Sequence, residues 1–266
     1  MKTGLLISIL FLTSVLSFGQ KKMMEKAEKA FKYYENGEKY KAVKIFEELI
    51  IEYPKSEYYG RNLYNIPTIY QELDSTELAI SGFKKVLEDK KLEDSEKDFS
   101  RGIFETNTNF KHYSAMNIGI INYNLGNYRE ALKYYQFADT QYPYYNSSGT
   151  DIKMNKIKLA SNISDCYINL GQVDSAIVFL LPHALTISPK MTNYASEKVL
   201  QILEDNKKKI EFKNEFDKSL ENIVTKEDNI ELTVYKIKIW IKPYIDEKLT
   251  VDYIKQTDFY KKLNEI

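Results

Sequence analysis

One frame of landmarks recurs along the chain: a glycine, an alanine five residues later, a large aromatic or apolar side chain four after that, and often a closing proline. "NLGNYREALKYYQFADTQYP" carries it in full, with Gly126, Ala131, Tyr135 and Pro143. "ENGEKYKAVKIFEELIIEYP" has Gly37, Ala42, Phe46 and Pro54, and "ELDSTELAISGFKKVL" sets Asp74 in the glycine slot before Ala79 and Phe83. "NLGQVDSAIVFLLPHALTISP" has Gly171, Ala176 and Leu180, with Pro189 one residue late. Nine residues before the alanines stand Tyr33, Tyr70, Asn122 and Tyr167. A recurring unit constrains the fold more than composition does, because a unit with an uncovered apolar side completes its core only by stacking on the next.

The landmarks have a physical sense. An alanine lets a second helix approach the first closely, and the large side chain one turn on lies on the same face. Glycine ends a helix in a left-handed cap, and proline stops the next one. The frame therefore predicts paired helices, repeated four times.

These residues resemble the tetratricopeptide repeat, a 34-residue unit of two antiparallel helices. The resemblance covers roughly two-thirds of the chain and implies a mainly α fold, a tetratricopeptide-like α-solenoid of about four helix pairs. The expected organisation is a signal peptide over 1–19, repeats over 23–190, capping helices over 191–227 and a small C-terminal α+β element over 228–266. The alanines are 37, 52 and 45 residues apart. The excess over the family unit falls at about 91–110 and 144–155, where it either extends helices, with Asp151 as a cap, or builds a separate site. Pro67 and Pro182 fall inside helices and are expected to bend them.

After Pro189 the frame disappears. "NYASEKVLQILEDNKKKI" and "EFKNEFDKSLENIV" keep helical spacing, with Tyr194, Val199, Ile202 and Leu203 on one face of the first. Ile230, Leu232 and Val234, then Ile237, Ile239 and Ile241, alternate with polar residues, which predicts strands with a bend near Lys236. Helix returns in "LTVDYIKQTDFYKKLNEI", with Thr250 as its cap.

The N-terminal "MKTGLLISILFLTSVLSFGQ" pairs Lys2 with an apolar run and small residues, which predicts a cleaved secretory signal. The run is shorter than the ~20 residues a membrane span needs, so no stable membrane insertion is expected after cleavage. No cysteine follows to carry a lipid, and the single Cys166 cannot form an internal disulfide. The expected location is exported, periplasmic or outer-envelope or secreted. The composition and the "SFGQ" junction resemble envelope proteins of a Bacteroidetes-type bacterium.

Thirty-eight basic residues balance thirty-eight acidic ones, which argues against nucleic acid as partner. His112 and His183 have no ligand neighbours at helical spacing, so no metal or cofactor is expected. Cys166 reads as a buried small hydrophobe, and no catalytic motif appears, so no enzyme is expected. "NSS" at Asn146 matches a glycosylation acceptor and is read as chance.

In the family resembled, first helices line a concave groove. Carried over by slot, the groove holds Met24, Phe31, Tyr34 and Glu35 from the first pair, and Arg61, Tyr64, Gln71 and Glu72 from the second. Tyr113, Met116, Tyr123 and Asn124 come from the third, and Lys158, Asp165 and Asn169 from the fourth. The resemblance thus implies a non-enzymatic scaffold for a protein or peptide, with oligomeric state left open. An alternative is a ligand-sensing, inhibitory or immunity-type module that uses 144–155 and the tail. Chaperone C-termini fit poorly, because the clamp slots hold Ala27, Phe31 and Tyr64. Each groove tyrosine has a competing reading as helix packing, since its ring is apolar and only its tip polar.

Overall fold

The structure is a computed structural model that describes residues 2–92, 109–146, 148–185, 194–226, 229–241 and 250–265. In chain order the elements are α1 (Lys2–Glu35), α2 (Lys39–Glu52), α3 (Tyr59–Glu72), α4 (Thr76–Glu88), α5 (Phe110–Asn124), α6 (Tyr128–Thr140), α7 (Gly149–Asn169), α8 (Val173–Leu185), α9 (Tyr194–Asp205) and α10 (Lys209–Glu221). Strands β1 (Val224–Lys226), β2 (Asn229–Val234) and β3 (Ile237–Ile241) precede α11 (Val251–Gln256) and α12 (Asp258–Asn264). The protein is mainly helical, with a small sheet near its C-terminus. It divides into two compact units, Met1–Ile121 and Asn122–Ile266.

The landmark slots take the conformations their chemistry requires. Gly37, Asp74, Gly126 and Gly171 are all left-handed, with φ of 79°, 53°, 77° and 74°. Each sits in the same two-bond turn. Glu38 N–H donates to Tyr33 O at 2.8 Å, Ser75 to Tyr70 at 2.9 Å, Asn127 to Asn122 at 2.9 Å and Gln172 to Tyr167 at 2.8 Å. The residues nine before the alanines are thus the carbonyl acceptors that close the turns. Ala42, Ala79, Ala131 and Ala176 are fully buried, and so are Phe46, Phe83, Tyr135 and Leu180 to within a few per cent.

A fifth turn of the same kind follows α9, where the sequence frame has faded. Lys207 is left-handed (φ 55°), and Lys208 N–H donates to Leu203 O at 2.8 Å. The alanine slot there holds Phe212, and the next landmark is Phe216. A phenyl ring in that slot keeps α9 and α10 from packing as closely as α1 does with α2. Phe212 instead stacks on Phe216 at 5.5 Å and meets Phe259 of α12 edge-on at 6.4 Å. Tyr194, expected on the apolar face of α9, is exposed, while Val199, Ile202 and Leu203 are buried.

In the first unit α1 packs on α2, α2 on α3 and α3 on α4. Its main core gathers Met23, Ala30, Val43, Phe46, Leu49, Ile66 and Ile69. Pro67 lies within α3 without ending it. Its ring is met by Gly82 of α4, where a Cβ would stand 2.7 Å from Pro67 Cβ. The insertion at 91–110 lies almost wholly outside the described residues.

In the second unit the insertion at 144–155 becomes the approach to α7 and its first turns. The cap is Ser148 rather than Asp151: Ser148 Oγ accepts from Asp151 N–H at 3.3 Å. Both residue types cap well, and the helix begins one turn earlier than Asp151 would have set it. Ser148 N–H in turn donates to Asn146 Oδ1 at 2.8 Å, a local turn that fixes the entry. Pro182 lies within α8 without ending it.

The antiparallel sheet has the order β1-β2-β3. Val234 pairs with Ile237, leaving a two-residue turn of Tyr235 (φ 49°) and Lys236 (φ 63°). This is the primed turn that matches strand twist, built without the usual Asn or Gly. β1, three residues long, lies where helix was expected to continue, and Ile237 is exposed although its alternation partners Ile239 and Ile241 are buried. β3 packs on α8, β2 on α10, and α12 on α9 and α10. Thr250 caps α11 as expected, accepting from Tyr253 N–H at 3.1 Å. Thr257 repeats the device for α12, accepting from Tyr260 N–H at 3.1 Å.

Candidate functional site

First helices of successive pairs are joined by hydrogen bonds that recur in two slots. One runs from the residue after a turn-closing carbonyl residue to the residue two past the next one. Tyr34 Oη donates to Glu72 Oε1 at 2.8 Å, and Asn169 Nδ2 donates to Tyr123 Oη at 3.0 Å, in these same slots. The other slot lies lower on the helices, six residues before one such carbonyl residue and five before the next. There Asn117 Nδ2 donates to Tyr64 Oη at 2.8 Å, and Lys198 Nζ donates to Ser161 Oγ.

In the first unit these bonds engage much of the proposed groove. The Tyr64 ring packs between Phe83 and Phe110, each with centroids 5.7 Å away, and burial raises its hydroxyl pKa. Tyr113 stands edge-on to His112 at 5.5 Å. Met116, expected in the groove, is only 5% exposed: in its slot the side chain is core. Gln71 is half-buried, and Arg61 is exposed. Glu72 accepts from Tyr34 and pairs with Lys39 at 2.9 Å. Burial works against its charge, but these two partners outweigh burial and hold its carboxyl below the usual range.

One slot in this unit lacks its bond. Asn65 occupies the position of Asn117 and Lys198, yet its Nδ2 is buried without a partner among the described residues. The matching acceptor slot on α1 is Ala27, which has no side-chain oxygen. That explains the orphaned donor, and a buried unpaired amide carries a desolvation cost.

In the second unit Tyr123, Asp165, Asn169, Ser161 and Lys198 form one network. Asn169 Nδ2 also donates to Asp165 O at 2.8 Å, and Lys198 Nζ donates to Asp165 Oδ2 at 2.6 Å. Burial and then the Asp165 charge raise the Tyr123 pKa. Asn124 and Lys158 stand exposed outside the network. Asn117, Ser161 and Lys198 were not foreseen as site residues, although their recurrence at a fixed distance from the turn carries the signal.

Burial shifts both the thiol of Cys166 and the imidazole of His183. Cys166 is fully buried, and burial with the Asp165 charge pushes its thiol up to about 12. Burial, with Lys156 and Lys153, pushes His183 down to about 4. Among the described residues no three His, Cys, Asp or Glu side chains are placed to share a metal ion. No helix there is long and apolar enough to cross a membrane. The arrangement offers neutral hydrogen-bonding groups, aromatic rims and a few exposed charges.

Residues 30–56, from the end of α1 to just past α2, match the family model of a tetratricopeptide repeat. No curated protein matches the chain. Among solved structures the chain is similar to Podosopora anserina putative kinesin light chain TPR-like repeats, at 15% identity and a TM-score of 0.47, over 71% of this chain and 89% of that one. It is also similar to the MamA protein, at 13% identity and a TM-score of 0.41, over 73% and 80%. The C-terminal part of a TPR repeat-containing protein from Cytophaga hutchinsonii matches at 18% identity and a TM-score of 0.43, over 73% and 64%.

Proposed function

We propose that this protein is an exported, non-enzymatic scaffold that holds a protein or peptide segment in the cell envelope. The observation that carries the reading is the tetratricopeptide match over 30–56 together with the same left-handed turn at five places among the described residues. Repeats of this kind present one helix face to a partner, and the balanced charge suits a polypeptide better than a polyanion. The Lys2-led apolar start supports export.

The inter-helix bonds narrow the recognition surface. Tyr64, Tyr123 and Asp165 are engaged in holding helices together, and Met116 is core. The exposed side chains Arg61, Asn124 and Lys158 are the better determinants, with Met24 and Phe31 as apolar contacts. Affinity capture from fractionated envelope, with the wild-type chain beside an Arg61→Ala/Asn124→Ala/Lys158→Ala variant, tests this. Loss of specific partners at unchanged melting temperature is expected. Recovery of the same partners in the same amounts would sink the assignment.

A further inference from the structure

The chain contains a single Asn-Gly pair, Asn36–Gly37, and it lies in the turn between α1 and α2. The equivalent position before the left-handed residue is Leu73, Leu125, Leu170 or Asn206 in the other turns, and none of these combines asparagine with glycine. Asn36 and Gly37 are both exposed, and a Cβ on Gly37 would meet nothing within 4 Å. Glycine thus adds no bulk of its own beside the nitrogen that follows the Asn36 side chain.

We propose that Asn36 is a site of spontaneous deamidation and isoaspartate formation that loosens the first hairpin. The Gly37 backbone nitrogen loses its proton to hydroxide and attacks Asn36 Cγ. A C–N bond forms, water protonates the departing nitrogen and regenerates hydroxide, the Cγ–Nδ2 bond breaks, and ammonia leaves a five-membered succinimide. Water then opens the ring. Addition at Cγ yields aspartate, and addition at the main-chain carbonyl carbon yields isoaspartate, in which the chain runs through Cβ and Cγ.

Two features of the turn set the rate and the consequence. The Gly37 N–H is donated to Tyr34 O at 3.0 Å, so the turn must open before the nitrogen can attack. Deamidation here therefore reports local opening of the hairpin. The product adds a carboxylate at the negative end of α1, beside Glu35 and Glu38, where the helix dipole disfavours it. The isoaspartyl form also lengthens the backbone inside the turn, and the Glu38 N–H bond to Tyr33 O at 2.8 Å spans that segment.

The test is to age the full chain at mildly alkaline pH, with and without urea. Isoaspartyl methyltransferase labelling, peptide mapping and hydrogen exchange of the Glu38 amide are the measurements. Asn36→Gln is the conservative control, and Asn36→Asp separates added charge from backbone lengthening. Label is expected at Asn36 ahead of every other asparagine, faster in urea, absent from Asn36→Gln, and accompanied by loss of Glu38 protection beyond that in Asn36→Asp. Label elsewhere but not at position 36 would overturn the proposal. So would equal rates with and without urea, or Glu38 protection that survives isoaspartate formation.

Discussion

Replacing Gly82 by alanine isolates the close approach of α3 and α4. In an exposed helix interior the change stabilises by ~1 kcal/mol, because glycine loses more backbone freedom on folding. Here the new Cβ meets Pro67 Cβ at 2.7 Å, Cγ at 3.3 Å and Cα at 3.4 Å. Ordinary carbon contacts begin near ~3.5 Å, so the helices must separate by close to an ångström at this point. The proline ring is closed on its own backbone and cannot rotate aside. Overpacking of this kind costs ~1–3 kcal/mol, which outweighs the propensity gain and leaves Gly82→Ala less stable by ~1 kcal/mol.

The swap that relieves the contact is Pro67→Gly. With no Cβ at 67, the alanine at 82 has room, and in that background Gly82→Ala should stabilise by up to ~1 kcal/mol. The sign reversal is a coupling of ~2 kcal/mol, well outside the error of additive sites. Urea unfolding of the four proteins measures it, provided the midpoint moves at unchanged slope. Stabilisation by Gly82→Ala in the native background, or the same effect in both backgrounds, would refute the steric argument.

Ala27→Ser should supply the missing acceptor for Asn65 Nδ2 and raise stability by roughly half a kcal/mol after serine's lower helix propensity is subtracted; an unchanged melting temperature would mean the two slots do not meet. Lys207→Gly removes a left-handed lysine and should stabilise by ~1 kcal/mol by denaturant titration, whereas Gly171→Ala should cost about as much. His183 titrates near 4 when folded and near 6.5 when free, so the unfolded chain binds the extra proton between those values. Its contribution is complete above the higher value and is lost as pH falls toward the lower one, by at most ~3.5 kcal/mol, and His183→Gln should flatten that part of the stability profile. Tyr123→Phe removes the acceptor for Asn169 Nδ2 and should cost ~1 kcal/mol while leaving partner capture intact; lost capture at unchanged stability would return Tyr123 to the recognition surface.

The four turns were legible in the sequence because their slots are sterically demanding: left-handed backbone favours glycine, and close helix approach favours alanine. Asp74 could be placed only because its neighbours kept the register. The fifth turn was not legible, since Lys207 is held left-handed by the bonds around it and Phe212 exchanges close packing for an aromatic cluster with Phe216 and Phe259. The two later strands showed their alternation, whereas "VTK" at β1 is too short to show any. Ser148 and Asp151 are both competent caps three residues apart, and the choice depended on where α7 begins.

The candidate surface was legible as a set of slots, with groove contact and helix packing both open for each tyrosine. Tyrosines at Tyr34, Tyr64 and Tyr123 recur where the family exposes ligand contacts, and sequence alone cannot say whether a hydroxyl at such a slot meets solvent or the next helix. Here each meets the next helix, at Glu72, Asn117 and Asn169. A tyrosine suits that seam because its ring fills the apolar gap between helices while its tip reaches a polar partner on the neighbouring one. The chain uses these residues as ties between repeats whose spacing departs from the family unit. Under the proposed scaffold role, the exposed side chains Arg61, Asn124 and Lys158 rather than the tyrosines should decide which partner is held.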